Sequence, residues 1–151
     1  MNSIFYLVAA LKQNITIRQL YLSCNHLTSS DAQQLKSLLK NNSTLQTLEL
    51  NDNSLGCAGV QAVADGLADQ PAGPGDGLQR LSLSSNKIDL DSIMALTQAL
   101  PFCRNLRFLD LSRNPLGDDA IEILVDGLAV LPTLRSLRLT DCSFSDQGQL
   151  N

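Results

Sequence analysis

The sequence predicts an α/β solenoid, with about five short parallel strands lining an inner curve and helices running along the outside. Three observations predict it. One eleven-residue pattern recurs five times along the chain. After each copy the apolar spacing changes from two residues to about 3.6, the change expected from strand to helix. The 151 residues are 44% hydrophobic and 17% charged, which is enough apolar material for a core in a chain that is not compositionally disordered.

The copies are Ile17-Arg-Gln-Leu-Tyr-Leu-Ser-Cys-Asn25-His-Leu27, Leu45-Gln-Thr-Leu-Glu-Leu-Asn-Asp-Asn53-Ser-Leu55, Leu78-Gln-Arg-Leu-Ser-Leu-Ser-Ser-Asn86-Lys-Ile88, Leu106-Arg-Phe-Leu-Asp-Leu-Ser-Arg-Asn114-Pro-Leu116 and Leu134-Arg-Ser-Leu-Arg-Leu-Thr-Asp-Cys142-Ser-Phe144. All read L-x-x-L-x-L-x-x-(N/C)-x-L, with Ile or Phe admitted at apolar sites. Their Asn or Cys positions are separated by 28, 33, 28 and 28 residues. The long step holds Gln70-Pro-Ala-Gly-Pro-Gly-Asp-Gly77, a Pro/Gly-rich insertion that reads as a surface loop over 70–77.

Taken in order, the strands are expected near 19–23, 47–51, 80–84, 108–112 and 136–140. Helical spacing follows in Ser30 to Lys40 (Leu35, Leu38, Leu39), Gly59 to Leu67 (Val60, Val63), Asp91 to Leu100 (Ile93, Leu96) and Asp118 to Leu128 (Ile121, Leu124, Val125). Ser30, Asp91 and Asp118 are read as N-caps or first-turn acids that meet unpaired N–H groups.

These motifs resemble the leucine-rich repeat family over nearly the whole chain, and the 28-residue period is similar to its ribonuclease-inhibitor subclass. The resemblance implies a right-handed, curved β-α superhelix forming one domain over 1–151. It also implies that Asn25, Asn53, Asn86, Asn114 and Cys142 form an asparagine ladder, their side chains meeting backbone groups where the chain leaves each strand. Residues 2–17 align with 30–45, so the first residues read as a repeat helix. Ser145-Asp146-Gln147-Gly148 aligns with Gly117-Asp118-Asp119-Ala120, at the start of a further helix. Neither end shows a polar cap, so the chain is expected to be a fragment, a splice product or a piece that docks end-on, and self-association through the open ends is a further expectation.

Composition excludes several classes. Fifteen acids against eleven bases give a net charge of −4, against the basic footprint that direct nucleic-acid binding needs. Four cysteines, at 24, 57, 103 and 142, include no C-x-x-C pair, which removes zinc-ribbon and thioredoxin-like motifs. The one histidine, His26, has no metal-binding companion at ligand spacing, so no metal and no cofactor are expected. No run of 18 apolar residues is present, so no membrane span is expected. Ile4 to Leu11 is apolar but lacks a basic segment before it, and the repeat alignment accounts for its leucines. Asn14-Ile-Thr16 and Asn42-Ser-Thr44 match the glycosylation sequon, yet both fall in equivalent turns before a strand. Gly73, Gly75 and Gly77 lack the G-K-[ST] of a phosphate loop. Asp118, Glu122 and Asp126 form one helical ridge beside Asp119 and read as a solvated outer face.

Strand alternation leaves three outward columns: Gln19, Thr47, Arg80, Phe108 and Ser136; Tyr21, Glu49, Ser82, Asp110 and Arg138; and Ser23, Asn51, Ser84, Ser112 and Thr140. Tyr21, Glu49, Arg80, Phe108, Asp110 and Arg138 are the candidate partner-binding residues, since exposed aromatics and arginines supply binding hot spots. Asp110 and Arg138 also read as a cross-strand pair that stabilises the sheet. Arg107, Arg113, Arg135 and Arg138 make the C-terminal strands locally basic, which favours an acidic protein or peptide segment there. The expected function is a non-enzymatic protein-interaction scaffold, cytoplasmic or nuclear. The alternative is a regulator of another enzyme, GTPase-activating-like or inhibitor-like, with Arg113 as its reaching residue.

Overall fold

The computed structural model describes residues 3–71, 77–131 and 133–145. Helices α1 (Ser3–Leu11), α2 (Ser29–Asn41), α3 (Gly56–Ala68), α4 (Leu90–Ala99) and α5 (Gly117–Leu128) alternate with strands β1 (Gln19–Tyr21), β2 (Thr47–Glu49), β3 (Arg80–Ser82), β4 (Phe108–Asp110) and β5 (Ser136–Arg138). A 3₁₀ turn, Leu100–Phe102, follows α4. The five strands form one parallel sheet in chain order, β1-β2-β3-β4-β5. Each unit therefore adds beside the one before it, as in a solenoid.

Register follows the repeat. Leu20, Leu48, Leu81, Leu109 and Leu137 are successive partners across the sheet. They point towards the helices, and the three inner ones, with Leu50, Leu83 and Leu111, are wholly buried. Leu35, Leu38 and Leu39 of α2, Val60, Val63 and Leu67 of α3, and Ile93 and Leu96 of α4 close the core from the other side. Burying a leucine side chain stabilises by about 1.5–3 kcal/mol. The core of the solenoid is thus a leucine stack repeated along the axis.

The strands are shorter than the expected 19–23 type by two residues at the C-terminal end. Backbone bonding continues past them: Leu22 N–H donates to Glu49 O at 2.8 Å and Cys24 N–H to Asn51 O at 2.9 Å. The residue before each ladder position then turns left-handed, with φ of 61° at Cys24, 56° at Asp52, 55° at Ser85, 55° at Arg113 and 57° at Asp141. A non-glycine residue there costs roughly 1–2 kcal/mol, so something must hold the turn.

Asparagine side chains hold it. Asn53 Oδ1 accepts from Asn25 N–H (3.0 Å) and Leu27 N–H (2.9 Å), while its Nδ2 donates to Leu22, Leu50 and Asn51 carbonyls. Asn114 repeats this two joints later, accepting from Asn86 N–H (2.8 Å) and Ile88 N–H (3.1 Å) and donating to Leu83, Leu111 and Ser112. Among the described residues Asn25 donates only, to Leu22 and Ser23 carbonyls. Cys142 is buried and its thiol lies 3.4 Å from Leu111 O. Asn86 donates to Leu50 and Ser84, but among the described residues its buried Oδ1 has no partner. That exception falls at the joint carrying the insertion.

Two turn types alternate beyond the ladder. After Asn25, Asn86 and Cys142 the next residue is again left-handed, at His26, Lys87 and Ser143. After Asn53 and Asn114 the left-handed residue is instead a glycine three positions on, Gly56 (φ 63°) and Gly117 (φ 76°). Pro115 fixes φ near −65° and forbids the first type. The glycines donate to the next unit, Gly56 to Asn86 O and Gly117 to Cys142 O. The helix entries differ accordingly. Thr28 and Asp89 are the N-caps of α2 and α4. Asp31 accepts from Thr28 N–H at 2.9 Å, and Asp89 accepts from Ser92 N–H at 3.2 Å. Ser30 therefore lies inside α2, with the cap two residues earlier, whereas Asp91 and Asp118 are first-turn acids.

Helix contacts depend on small residues. A Cβ at Gly66 would meet the Lys36 backbone at 3.0 Å and Leu39 Cβ at 3.1 Å; one at Gly127 would meet Thr97 at 2.9 Å. Ion pairs Lys36–Asp65 (3.9 Å) and Lys40–Asp69 (3.2 Å) also link α2 to α3. Being half-exposed, each contributes about 1 kcal/mol at most. Val125, expected in the core, is instead 57% exposed. It faces outward from α5, whose described helix neighbour is α4 on one side.

The turns before the strands carry a second set of polar side chains. Asn42, buried, donates to Leu11 O at 2.8 Å and accepts from Thr44 and Leu45 N–H at 2.9 Å. Asn14 accepts from Thr16 and Ile17 N–H. Both sequon asparagines are thus spent on backbone. Gln70 Oε1 accepts from Leu78 N–H at 3.1 Å and closes the base of the insertion, whose residues 72–76 lie outside the described ones. The alignment from Asp146 onward also lies outside them.

The ladder predicts an asymmetry. Asn114→Ala leaves two buried N–H groups unpaired and should cost about 2–4 kcal/mol. Asn25→Ala, at an exposed site that accepts nothing, should cost less than about 1 kcal/mol. Urea midpoints at unchanged slope measure both, and equal losses would remove the ladder from its structural role.

Candidate functional site

The outward residues stand in three rows across the sheet, but the rows are not equally free. In the third, Ser84 and Ser112 are buried, and its members serve the sheet. Asn51 Oδ1 accepts from Ser82 Oγ (2.6 Å) and Ser84 N–H (2.8 Å); Ser23 Oγ accepts from Asn51 N–H (3.0 Å); Ser112 Oγ accepts from Thr140 N–H (3.1 Å). That row is a seam of polar contacts and not a ligand-facing column, because the turn already bends the chain away from the open face.

The first two rows remain open. At the N-terminal side Tyr21 is 58% exposed, and its hydroxyl donates to Gln19 Oε1 at 3.3 Å. Glu49 is half-buried and accepts from Ser23 Oγ at 3.1 Å. Tyr21 and Phe108 lie three strands apart, roughly 14 Å at ordinary strand spacing, so they form separate points of the face.

Arg80, Phe108 and Arg138 come together on β3, β4 and β5. The Arg80 guanidinium lies 4.2 Å from the centre of the Phe108 ring and that of Arg138 lies 5.5 Å from it. Such a cation–ring contact contributes about 0.5–1 kcal/mol at exposed sites and holds the guanidinium planes while leaving their edges free. Asp110 is the register partner of Arg138. Among the described residues the two form no ion pair, and Asp110 Oδ1 accepts instead from Ser112 N–H at 3.0 Å.

Two recesses share these three residues. One, of about 170 Å³, is lined by Glu49, Asn51, Ser82 and Asp110 besides the trio. The other, of about 410 Å³, adds Gln79, Arg107, Arg135 and Ser136 and has no acidic residue in its wall. Arg107 and Arg135 enter it from the residues just before β4 and β5. Both belong to the arginines that make the C-terminal strands locally basic, but they fall outside the three columns, which begin one position later in the repeat. Their signal was present: both directly follow the first leucine of their copies, 28 residues apart. Arg113 sits apart in the turn beyond β4, exposed.

The remaining reactive groups are dispersed. Among the described residues no group of three or more His, Cys, Asp or Glu is placed to hold a metal, and His26 is exposed in its turn. The four cysteines are free thiols. Burial pushes the Cys103 thiol up to about 12, and it donates to Ala99 O at 3.3 Å. Burial also raises Cys142, against smaller opposing backbone hydrogen bonds. Cys24 is exposed. On the outer face, Asp118 accepts from the Ser145 hydroxyl and backbone N–H, and these bonds hold its carboxyl below the usual range. One member of the acidic ridge is thereby tied to the following turn, and no described helix is long and apolar enough to cross a membrane.

Comparison with known proteins places this geometry. A family model described as "Leucine Rich repeat" matches residues 13–36, 41–64, 78–96, 102–124 and 130–148, and the chain belongs to the leucine-rich repeat family. Its repeats are ribonuclease-inhibitor-like. The chain is 33% identical over 130 residues to the ribonuclease inhibitor of Sus scrofa, covering 85% of this chain and 28% of that protein. It is 35% identical over 99 residues to "Protein phosphatase 1 regulatory subunit 37 homolog" of Caenorhabditis elegans, covering 66% of this chain and 10% of that one. The chain thus spans less than a third of the first relative and about a tenth of the second. Among solved structures, "Leiomodin-1 Actin-Binding Site 2 (ABS2)" superposes with a TM-score of 0.78 at 18% identity, covering 96% of this chain and 81% of the other. That likeness is one of fold.

The thiols give a pH prediction. With Cys103 near 9.0 when unfolded and about 12 when folded, its burial stabilises fully below pH 9, and that contribution is lost as pH rises from 9 to 12. Iodoacetamide at pH 8.5 should label Cys24 in the native protein and reach Cys103 and Cys142 only after unfolding, read by peptide mass spectrometry. Native labelling of Cys103 at the rate of Cys24 would contradict its place in the core.

Proposed function

We propose that this chain is a protein-interaction module that binds an acidic protein segment across its concave sheet face and performs no chemistry of its own. The observation that carries the reading is the stack of Arg80 and Arg138 on Phe108, with both guanidiniums unpaired among the described residues. Aromatic and arginine side chains fixed on a rigid sheet lose little entropy on binding and supply much of an interface's energy. Their charge selects an acidic partner in a chain whose net charge is −4. Tyr21 and Glu49 give the other half of the face a different character, so a bound segment would be read in one direction. The free thiols suit work in the cytoplasm or nucleus.

A second reading draws on the relatives, one named an inhibitor of a ribonuclease and one a regulatory subunit of a phosphatase. In it the same face positions another enzyme, with Arg113 reaching from its turn. Adding the purified chain to protein phosphatase 1, a ribonuclease and a small GTPase distinguishes the two: a saturable rate change at stoichiometric concentration supports regulation, and unchanged rates support passive binding.

The primary test compares the chain with a Tyr21→Ala, Phe108→Ala, Arg138→Ala variant in pull-downs from reduced cell extract, after circular dichroism shows both folded. Partners should be lost in the variant, be enriched in acidic runs, and dissociate as salt rises from 50 to 500 mM. Partners retained equally by both proteins would sink the concave-face assignment.

A further inference from the structure

We infer that the acid-free recess formed by Arg80, Arg107, Arg135 and Arg138 around Phe108 binds a phosphorylated side chain of the partner segment. The inference rests on the concave-face reading above and specifies its chemistry. Four arginines line one recess of about 410 Å³ whose remaining wall is Gln79, Ser136 and Phe108. Among the described residues none of the four is in an ion pair, the pairs there being Lys36–Asp65 and Lys40–Asp69 on the helices.

Charge balance decides the ligand. A single carboxylate offers one negative charge and two oxygens. A phosphorylated serine or threonine carries about −1.5 to −2 charges and three acceptor oxygens, and arginine forks meet such oxygens in pairs. Stacking of Arg80 and Arg138 on Phe108 fixes two of the forks before binding, so less order is lost when an anion arrives. The backbone holds Arg107 and Arg135 side by side at the start of their strands: Arg135 N–H and Ser136 N–H both donate to Arg107 O, at 2.8 and 3.0 Å. The acids of this face lie in the neighbouring recess, where Glu49 and Asp110 would repel a dianion. The phosphate therefore seats towards the start of β4 and β5, and the smaller recess takes the neutral or basic part of the segment. A nucleic acid is the poorer fit, because its backbone needs a basic stripe to follow, and here the arginines gather at one place.

The test uses the full chain labelled with nitrogen-15, observing arginine Nε–Hε and backbone amide signals. Three degenerate nonapeptide pools are titrated, alike except for phosphoserine, serine or glutamate at the centre, along with inorganic phosphate and a single-stranded oligonucleotide. The phosphoserine pool should shift the signals of Arg80, Arg107, Arg135 and Arg138 at least tenfold more tightly than the serine pool. It should also bind at least threefold more tightly than the glutamate pool and tenfold more tightly than inorganic phosphate. Arg107→Gln with Arg135→Gln should abolish the preference, and Arg113→Gln, outside the recess, should keep it. If the Gln pair fails to fold, Arg107→Lys with Arg135→Lys retains charge but not the forks, and should lose at least half of the preference on a logarithmic scale. Equal binding of the glutamate pool overturns the proposal while leaving an acidic-segment module intact, and equal binding of the serine pool overturns both the proposal and the preference for an acidic segment. Equal binding of inorganic phosphate, or tighter binding of the oligonucleotide, overturns it as well. No pool shifting any residue of the sheet face overturns the concave-face reading with it.

Discussion

Each inner unit of this solenoid must turn its backbone out of the sheet while buried, and at two of these turns an asparagine side chain satisfies the groups left behind. Asn53 and Asn114 each accept two N–H groups from the preceding unit and donate to carbonyls of both units. They therefore do for the turn what the ladder does for the strand, and they do it between units. An unpaired buried backbone group costs about 1–3 kcal/mol, the same scale as the left-handed residue preceding each asparagine. With the turn fixed, the leucines fall into a stack, the helices start where they must, and the opposite face of the sheet is left open.

That open face inherits its precision from the same source. Because register is carried from one leucine to the next, Thr47, Arg80 and Phe108 are successive neighbours despite the longer step between the second and third asparagines. The insertion is absorbed in the loop closed by Gln70 and Leu78, on the far side of the strand from the ladder. A repeat protein can vary such loops and outward positions independently of its core, and this is how a conserved architecture carries unrelated partners.

Much of the fold was readable because the core residues repeat with the period of the chain. Leu48, Leu81 and Leu109 could be assigned to one layer before any coordinates, and so could the helix leucines. Strand ends were not readable to the residue. The left-handed residues before the asparagines are Cys, Asp, Ser and Arg, types with no shared signature. Helix caps were misplaced at Ser30 because a Thr-Ser-Ser-Asp run offers several candidates, and only the bond from Thr28 N–H to Asp31 selects among them. On the open face, alternation identified Tyr21, Phe108 and Arg138 as outward. It said nothing of Ser84 and Ser112 being consumed by the sheet, or of Arg107 and Arg135 bending into one recess, since both depend on side-chain torsions.

The alternation of turns has a consequence for how such a chain can grow. Turns of the first kind, followed by Thr28 or Asp89 caps, interleave with turns of the second kind, built on Gly56 and Gly117. Each kind is completed by bonds from the other, as when Gly56 donates to Asn86 O and Ser54 to Leu27 O. The translational unit of the structure is consequently two repeats and not one. Duplication or deletion of a single repeat would set like against like and break both hand-offs, whereas a pair can be copied whole. In this architecture length is counted in twos.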